Sequence, residues 1–263
     1  MGIIETVRSV IKLVLFGSAL TVYFLVSFLI YAFCGFNFVR ARSKLTKVIS
    51  ITSTVGLKII GINVVQNIHP IDLSLNHLIV SNHLSYIDVL VISRFFPSCF
   101  VTSKEMKETF FLGHLCMLGG CLFVDRKNRS NIHKEVQELT QSLQKGINVT
   151  IFPEATSTDG SALIRFKRPL FQAAIDAEAH ILPICLNYKT IDNEPITLKN
   201  RDTAFWYGDM TFFSHAFKLF AHKKMTVELK VLPAFYANHY SDKTLLSEKC
   251  YELIEAEYKK INS

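Results

Sequence analysis

The sequence predicts an α/β protein with a largely parallel sheet flanked by helices, preceded by an N-terminal hydrophobic membrane-anchoring helical segment. First, strand-like apolar runs alternate with helix-like stretches through the second half of the chain. Second, no residue from Leu13 to Val39 is charged, which is longer than the ~20 residues that cross a bilayer. Third, 263 residues fit one domain plus an appendage. We therefore assign residues 1–62 to membrane-anchoring helices and residues 63–263 to the α/β domain.

The N-terminal apolar stretch has two alternative interpretations, a signal peptide and a buried core helix. The apolar part of a signal peptide is usually shorter, and a basic flank is a poor cleavage context. That flank contains Arg40, Arg42, Lys44 and Lys47. Because these outnumber Arg8 and Lys12 on the other side, the positive-inside rule predicts that the α/β domain lies in the cytoplasm.

Six strands are predicted from the apolar runs Leu78–Val80, Phe100–Thr102, Leu122–Val124, Val149–Phe152, Ile181–Leu186 and Thr226–Val231. Helices are expected between them, notably Asn131–Lys145 and Pro169–Ala179. The segment from Ser241 to Ile261 predicts a charged surface helix. Between Arg201 and Lys224, aromatic residues are interleaved with lysines, which fits either a membrane-interface segment or a core helix with a basic end.

The charge balance favours acidic partners. The net charge is +7 and 49% of the residues are hydrophobic, which suits an anionic membrane surface or a phosphorylated substrate. The absence of zinc-finger spacing and of an RNA-binding aromatic motif argues against nucleic acid. The six cysteines are scattered through apolar runs, a pattern expected of reduced thiols rather than of disulfides or a metal site. We expect neither a cofactor nor a metal ion.

The residues Ser81-Asn82-His83-Leu84-Ser85-Tyr86-Ile87-Asp88 carry the main candidate for chemistry. An imidazole takes a proton from a hydroxyl at neutral pH, and a carboxylate on its other nitrogen fixes the tautomer. We expect His83 in the turn after a strand and Asp88 in the first turn of the next helix. This spacing alone also occurs without function.

Three later stretches follow in order: Gly120-Cys121-Leu122-Phe123-Val124-Asp125-Arg126, Phe152-Pro153-Glu154-Ala155-Thr156 and Ile181-Leu182-Pro183-Ile184. Together with Asn82-His83 and Asp88 they resemble the four motifs of the glycerolipid acyltransferase family that includes the 1-acyl-glycerol-3-phosphate acyltransferases. The resemblance covers roughly residues 60 to 235. It implies an N-terminal pair of helices that lies within one leaflet, with Ser43 to Ile60 as the second and more amphipathic helix.

The resemblance also implies site roles. Gly120 and Arg126 would belong to the acceptor-binding motif, and Arg126 has a guanidinium suited to a phosphate. A surface salt bridge is the alternative for Arg126. Lys104 matches a lysine near the acceptor phosphate, although a solvated lysine fits equally well.

Two further motif positions are implied to line the acceptor site, Glu154 and Thr156. The alternative for them is a strand end that leads into a capped helix. Pro183 would lie beside the acyl-chain path, whereas proline in a strand otherwise indicates an edge or a bulge.

Two positions depart from the family pattern. Ala155 replaces a glycine, and a methyl group there restricts positive φ. Ser157 replaces the arginine that is usual in the phosphatidate-forming branch, which removes a phosphate ligand. Lys167 and Arg168 are candidates to restore that charge. The stretches Trp206-Tyr207-Gly208-Asp209-Met210 and Thr156-Ser157-Thr158-Asp159-Gly160 resemble the branch that includes lyso-ornithine lipid acyltransferases.

The sequence therefore predicts a membrane-anchored O-acyltransferase that moves an acyl group from acyl-CoA or acyl-carrier protein to a lysolipid, with lysophosphatidate as the first choice. His83 is the predicted general base and Asp88 orients it. No Gly-x-Ser-x-Gly elbow is present, so direct transfer is favoured over an acyl-enzyme. The alternatives are a lyso-ornithine lipid or other lysophospholipid acceptor, a non-catalytic lipid-binding protein, a hydrolase, and a metal site at His83, Asp88 and His114.

Overall fold

The computed structural model describes residues 2–125, 129–240 and 242–261. Its α-helices in these ranges are α1 (Ile3–Phe33), α2 (Phe38–Ile60), α3 (Ile87–Phe95), α4 (Lys104–Glu108), α5 (Phe110–Leu118), α6 (Ile132–Gln144), α7 (Gln172–Asp176), α8 (Arg201–Ala204), α9 (Phe212–Phe220) and α10 (Lys243–Glu255). Its strands are β1 (Ile62–Ile68), β2 (His77–Ser81), β3 (Ser98–Ser103), β4 (Leu122–Val124), β5 (Asn148–Ile151), β6 (His180–Ile191), β7 (Glu194–Pro195), β8 (Met225–Val231) and β9 (Phe235–Tyr236).

The sheet order is β1-β8-β6-β2-β5-β3-β4, and β7 and β9 also pair with β6. The pairs β1/β8, β2/β5, β2/β6, β3/β4 and β3/β5 are parallel, whereas β6 runs antiparallel to β8. The predicted α/β class with a largely parallel sheet is confirmed. The carboxyl ends of β2, β3, β4 and β5 meet at one edge, which we call the carboxyl edge.

All six predicted strands are present, but β1 was missed. β2 is buried along its whole length, which explains the continuous apolar run that predicted it. β1 lies at the end of the sheet order, and most of its residues are at least partly exposed. An edge strand such as Ile62–Ile68 tolerates polar residues, so its sequence gives only a weak strand signal.

The two N-terminal helices form a hairpin that packs on the α/β part. α2 begins after Asn37, whose Oδ1 accepts from the Arg40 backbone N–H at 3.2 Å, and it ends at Gly61 with φ of 88°. The predicted helix over Ser43–Ile60 therefore starts five residues earlier, at Phe38. The division of the chain at residue 62 stays a prediction.

α1 contacts the α/β part at two separated points. The Ser9 hydroxyl donates to the Phe217 carbonyl at 2.9 Å, and the Tyr23 hydroxyl donates to the Leu115 carbonyl at 2.7 Å. Fourteen residues of helix separate them, or about 21 Å. In the described ranges α1 alone is long and apolar enough to cross a membrane. Its outward face is exposed and apolar, and it includes Ile3, Ile4, Val7, Val14, Leu25, Phe28, Leu29 and Phe33.

The segment between Arg201 and Lys224 contains both buried and exposed aromatic residues. Phe205 and Phe220 are buried in the core, whereas Phe213 is 66% exposed at the start of α9.

The predicted C-terminal helix is present as α10. Its residues Leu246, Cys250 and Ile254 repeat at a spacing of four and are fully buried, so one face of α10 packs on the core. Ser241 lies outside the described residues.

Pro183 lies in the interior of the sheet, so the alternative interpretation of an edge or a bulge does not apply, and its place beside the acyl-chain path stays a prediction. It is part of β6, which has β2 on one side and β8 and β9 on the other. The Pro183 carbonyl accepts from the Leu232 N–H at 2.9 Å. The amide and carbonyl of one strand residue face the same neighbour. On this side of β6 the pairing partner changes from β9, at Ile181, to β8, at Ile184. Pro183 lies between these two positions, so its missing N–H does not remove a hydrogen bond of either strand pair.

Candidate active site

His83 and Asp88 lie in the connection from β2 to α3 at the carboxyl edge. His83 occupies the turn, and Asp88 is in the first turn of α3. The distance between His83 Nδ1 and Asp88 Oδ2 is 2.9 Å. The expected placement of both residues is confirmed, because a tight turn at Ser85, closed by the Asp88 N–H on the Ser85 carbonyl at 3.0 Å, brings them together.

Asp88 is held by four donors. Its Oδ2 accepts from His83 Nδ1 and from the backbone N–H groups of Leu84 and Ser85 at 2.6 and 2.9 Å. Its Oδ1 accepts from the Tyr188 hydroxyl at 2.6 Å. Burial and the neighbouring carboxylate hold the pKa of Tyr188 well above its usual value, so this hydroxyl stays protonated and donates. Asp88 is fully buried, and its two oxygens are fixed in one orientation.

The His83 imidazole has one nitrogen left for chemistry. With Nδ1–H directed at Asp88, the neutral ring carries its lone pair on Nε2. The ring stacks on Phe152 with centroids 4.0 Å apart and an interplanar angle of 12°. The side chain retains 19% exposure. One face of the imidazole is therefore covered while Nε2 stays reachable from outside.

The backbone of the His83 turn is bonded to distant parts of the chain. The Asn82 side chain donates to the Leu186 carbonyl at 3.0 Å and accepts from the Leu186 N–H at 2.8 Å. The His83 carbonyl accepts from the Thr158 N–H at 3.0 Å. These bonds connect the turn to β6 and to the loop after β5, and they set the position from which the imidazole projects.

Glu154 supports the turn directly. Its Oε1 accepts from the His83 backbone N–H at 2.8 Å, and its Oε2 accepts from the Ile164 N–H at 2.9 Å. Burial raises the pKa of Glu154 to about 7, although both N–H donors favour the charged form. Both oxygens are thus engaged by backbone. The geometry supports a positioning role, and direct contact with an acceptor stays a prediction.

Replacing Glu154 by glutamine is expected to destabilise the fold. The glutamine amide nitrogen would face either the His83 or the Ile164 N–H, and a buried donor left without an acceptor costs about 1–3 kcal/mol. Thermal unfolding of the detergent-purified protein at pH 8 measures the loss. Glu248→Gln is the matched control, since that carboxylate is 46% exposed and forms an ion pair with Arg165 at 3.4 Å. Equal melting temperatures for the two variants would contradict this role.

The two positions that depart from the family pattern, Ala155 and Ser157, lie in the loop that follows Glu154. Ala155 adopts φ of 62°, the left-handed conformation that glycine favours, despite its methyl group. Thr156 is exposed, and its hydroxyl donates to the Ser157 carbonyl at 3.3 Å. The Ser157 hydroxyl donates to the Trp206 carbonyl at 2.5 Å. Ser157 therefore joins this loop to the segment before α9, and Thr156 is the member that faces solvent.

Lys167 and Arg168, the two predicted compensating charges, make different contacts. Lys167 is exposed, and its backbone N–H donates to the Pro153 carbonyl at 2.9 Å. The Arg168 guanidinium lies 3.5 Å from the Thr244 hydroxyl on α10, so it is directed at that helix. Whether Lys167 replaces the missing arginine stays a prediction.

Lys104 follows β3 at the carboxyl edge. Its Nζ lies 3.2 Å from Asp125 Oδ2, and the lysine side chain is 45% exposed. Arg126, the predicted phosphate ligand, lies outside the described residues. Lys104 lines a cleft of about 750 Å³ beside β4. The other charged residues of this cleft are Arg42, Lys107, Lys134, Glu108, Glu135 and Glu138.

Gly120 precedes β4 and lies at the other end of that strand from Asp125. It is buried with φ of 77°. Its carbonyl accepts from Arg42 Nε at 3.1 Å and from the Cys99 thiol at 2.9 Å. This geometry gives Gly120 a role in the backbone turn, and its part in acceptor binding stays a prediction.

Pro183, one position along β6 from the fully buried Ile184, is itself buried.

The alternative metal site is not assembled. Among residues 2–125, 129–240 and 242–261, no group of three or more His, Cys, Asp or Glu side chains is arranged to hold a metal ion. His114 is on α5, and its Nδ1 lies 2.5 Å from the Phe110 carbonyl within the same helix.

A protein-family model described as Acyltransferase matches residues 62–187. A 1-acyl-sn-glycerol-3-phosphate acyltransferase of Neisseria gonorrhoeae is 31% identical over 179 residues, which cover 68% of this chain and 68% of the relative. The chain belongs to the acyltransferase family. A further member of this acyltransferase family, a lyso-ornithine lipid O-acyltransferase of Rhizobium meliloti, is 31% identical over 145 residues, or 52% of this chain and 50% of the relative.

A solved structure shares the fold of this acyltransferase. The crystal structure of the 1-acyl-sn-glycerophosphate (LPA) acyltransferase PlsC from Thermotoga maritima superposes with a TM-score of 0.67, covering 97% of this chain and 96% of that chain at 17% identity. The family resemblance predicted from the four motifs is confirmed. This membership makes the chain an enzyme and argues against the non-catalytic alternative.

Sequence reasoning missed Tyr188 and the stacking partner Phe152. Tyr188 is one residue beyond the end of the family-model match at residue 187 and 100 residues from Asp88. The available signal was its position on β6, the strand that pairs with β2. Phe152 belongs to the Phe-Pro-Glu motif, but the motif alone does not indicate stacking.

Proposed function

We propose that this acyltransferase transfers a fatty acyl group from acyl-CoA or acyl-carrier protein to the free hydroxyl of 1-acyl-sn-glycerol-3-phosphate, giving phosphatidate. The observation that carries the proposal is the buried bond between His83 Nδ1 and Asp88 at 2.9 Å, which leaves Nε2 as the base. The name of the Neisseria relative supports the choice of acceptor.

The proposed reaction runs in one complex of enzyme, thioester and acceptor. His83 Nε2 takes the proton of the acceptor hydroxyl as its oxygen attacks the thioester carbonyl, forming the new C–O bond. When the tetrahedral intermediate collapses, the C–S bond breaks and the imidazolium returns its proton to the leaving thiolate. Asp88 stabilises the imidazolium between the two steps.

Three of the six cysteines are unsuited to an acyl-cysteine intermediate. Burial raises the pKa of Cys99 and Cys185 to about 12, and it raises the pKa of Cys250 further. A thiol is nucleophilic as the thiolate. These three cysteines therefore stay protonated at neutral pH, and none of them is exposed to a substrate.

A phosphorylated acceptor fits the cleft beside β4. Among the described residues, four cationic side chains line it, namely Arg42, Lys104, Lys107 and Lys134, together with three glutamates. Lys104 keeps nearly half of its side chain accessible, and an ammonium group binds phosphate as a point charge.

A lyso-ornithine lipid is the second candidate acceptor. At the position where the phosphatidate-forming branch usually has arginine, the Ser157 hydroxyl is bonded to the Trp206 carbonyl. Residue 157 therefore supplies no cation for a phosphate. An acceptor without a phosphate monoester does not need that cation, so the serine weakens its binding less. The Rhizobium relative supports this candidate.

A comparison of acceptors tests the proposal. Detergent-purified protein is given labelled acyl-CoA or acyl-carrier protein with lysophosphatidate, with lyso-ornithine lipid, or with a neutral lysophospholipid. We expect labelled phosphatidate as the main product. A main product from lyso-ornithine lipid would move the assignment to the second candidate, and the absence of product with either donor would overturn both.

Tyr188→Phe is expected to lower kcat about tenfold with little change in KM, because Asp88 loses the donor on Oδ1 that fixes its orientation toward His83; a hydrogen bond to a charged group contributes about 1.5–3 kcal/mol. Without this donor, the Asp88 carboxylate also favours the protonated form of His83 more strongly. The acid limb of the pH–kcat profile should therefore move to higher pH. Tyr23→Phe is the matched control, because its buried hydroxyl donates to the Leu115 carbonyl. An unshifted acid limb would show that Tyr188 contributes to packing only.

Membrane attachment through α1 and α2 is part of the proposal, with the α/β domain on the cytoplasmic face. The apolar outer face of α1 and the basic residues at the start of α2 support it. The contacts that fix α1 to the domain at Ser9 and Tyr23 favour a helix lying along the domain at one leaflet. Protease added to sealed inverted vesicles should digest the domain, and digestion only in right-side-out vesicles would contradict this orientation.

A further inference from the structure

Two phenylalanines outside the N-terminal helices are unusually exposed. Phe110 begins α5 and is 90% exposed, and Phe213 lies at the start of α9 and is 66% exposed. Neither α5 nor α9 contains an acidic residue, and the acidic residues closest before them in sequence are Glu108 and Asp209, both exposed. The helices themselves therefore start with apolar rings.

Phe213 belongs to an aromatic cluster around Phe111, the residue that follows Phe110 at the start of α5. The Phe111 ring lies 5.8 Å from Phe213 and 6.2 Å from Phe212, measured between centroids. Phe111 is also 6.1 Å from Phe24 on α1. We define the aromatic rim as Phe24, Phe110, Phe111, Phe212 and Phe213. The rim is continuous with the exposed apolar face of α1.

The rim also reaches the candidate active site. The Phe212 ring lies 4.9 Å from Tyr86, which is three residues after His83 in the same connection. Tyr86 in turn bonds to His215 of α9, with its hydroxyl 3.0 Å from Nδ1. α9 is thereby fixed between the His83 turn and α1, so its exposed start is held in a defined position.

We propose that the aromatic rim inserts into the bilayer as a second membrane contact, formed by the starts of α5 and α9 beside α1. Three features identify the occupant as lipid. The surface continues the apolar face of α1, the helices α5 and α9 contain no acidic residue, and the exposed lysines Lys107 and Lys218 lie within five residues of Phe110 and Phe213 in sequence. Apolar rings flanked by cations are typical of segments that enter an anionic membrane interface. Through the contact between Phe212 and Tyr86, the rim would hold the His83 turn close to the membrane surface, where lipid substrates lie.

Depth-dependent fluorescence quenching tests the rim independently of catalysis. Trp206 is the single tryptophan, so Trp206→Phe gives a background free of tryptophan. Phe110→Trp and Phe213→Trp are each introduced there, and the full-length protein is reconstituted in vesicles that contain anionic phospholipid brominated on the acyl chains. We expect strong quenching at both positions.

Leu73→Trp is the matched control. Leu73 is 75% exposed in the loop before β2, at the edge of the sheet opposite to His83. It should be quenched several-fold less than residues 110 and 213. Equal quenching at all three positions, or water-like emission at 110 and 213, would overturn the proposal.

A second copy of the chain is the competing occupant. It predicts a dimer in detergent that Phe110→Ser combined with Phe213→Ser converts to a monomer, together with weak quenching by brominated lipid. That result would also overturn the lipid assignment. Because neither readout depends on acyl transfer, the rim can be disproved while the proposed reaction stands, and the converse also holds.

Discussion

Replacement of His83 by alanine is expected to abolish nearly all acyl transfer. General acid–base catalysis contributes on the order of 10²–10⁴-fold, and His83 is proposed to serve both proton transfers through the same Nε2. The fold should survive, because the ring stacks on one face only and keeps 19% exposure. Initial rates with labelled thioester and lysophosphatidate measure the loss.

His239→Ala is the control for the His83 substitution. His239 is exposed after β9, which pairs with the start of β6 away from the carboxyl edge. It should retain the wild-type rate and melting temperature. If His83→Ala kept more than a tenth of the wild-type kcat, the assignment of the base would be wrong.

Asp88→Asn is expected to have the second largest effect, a fall in kcat of about 10³–10⁴-fold by analogy with the loss of an orienting aspartate in other triads. The His83, Leu84 and Ser85 donors all meet Oδ2 and the Tyr188 hydroxyl meets Oδ1, so the amide nitrogen of an asparagine faces a buried donor in either orientation. With that nitrogen toward His83 the imidazole adopts the wrong tautomer, and in both orientations the imidazolium loses its counter-charge.

The Asp88 substitution also leaves buried donors unpaired, so its structural cost must be separated from its catalytic cost. Asp176→Asn, at the exposed end of α7, provides the baseline for an exposed carboxylate. Melting temperature and KM for the acceptor are measured beside kcat. If the loss of kcat were no larger than the fraction of the protein that is unfolded at the assay temperature, the orienting role would be refuted.

The parts of the site that were predictable are local in sequence. His83 and Asp88 are five residues apart, and one turn after a buried strand suffices to join them at 2.9 Å. Buried parallel strands give continuous apolar runs, and these runs located β2, β5 and β6 together with the carboxyl edge.

The parts that were not predictable depend on contacts between distant residues. Tyr188 reaches Asp88 across 100 residues, and Glu154 reaches the His83 N–H across 71 residues. A motif indicates that Glu154 belongs to the site, but not that both its oxygens bind backbone. Likewise, Ala155 in place of glycine predicted a restricted φ, whereas the surrounding turn imposes 62° on it. Such strain is decided by the rest of the fold.

The most direct test of the central claim is to count products in one reaction. Purified protein is incubated with labelled acyl-CoA and lysophosphatidate, and esterified lipid, free fatty acid and released thiol are measured together. Direct transfer through His83 predicts one phosphatidate per thiol released, little free fatty acid with or without acceptor, and no product with His83→Ala. Free fatty acid formed at the same rate in the absence of acceptor would contradict the account and identify a hydrolase.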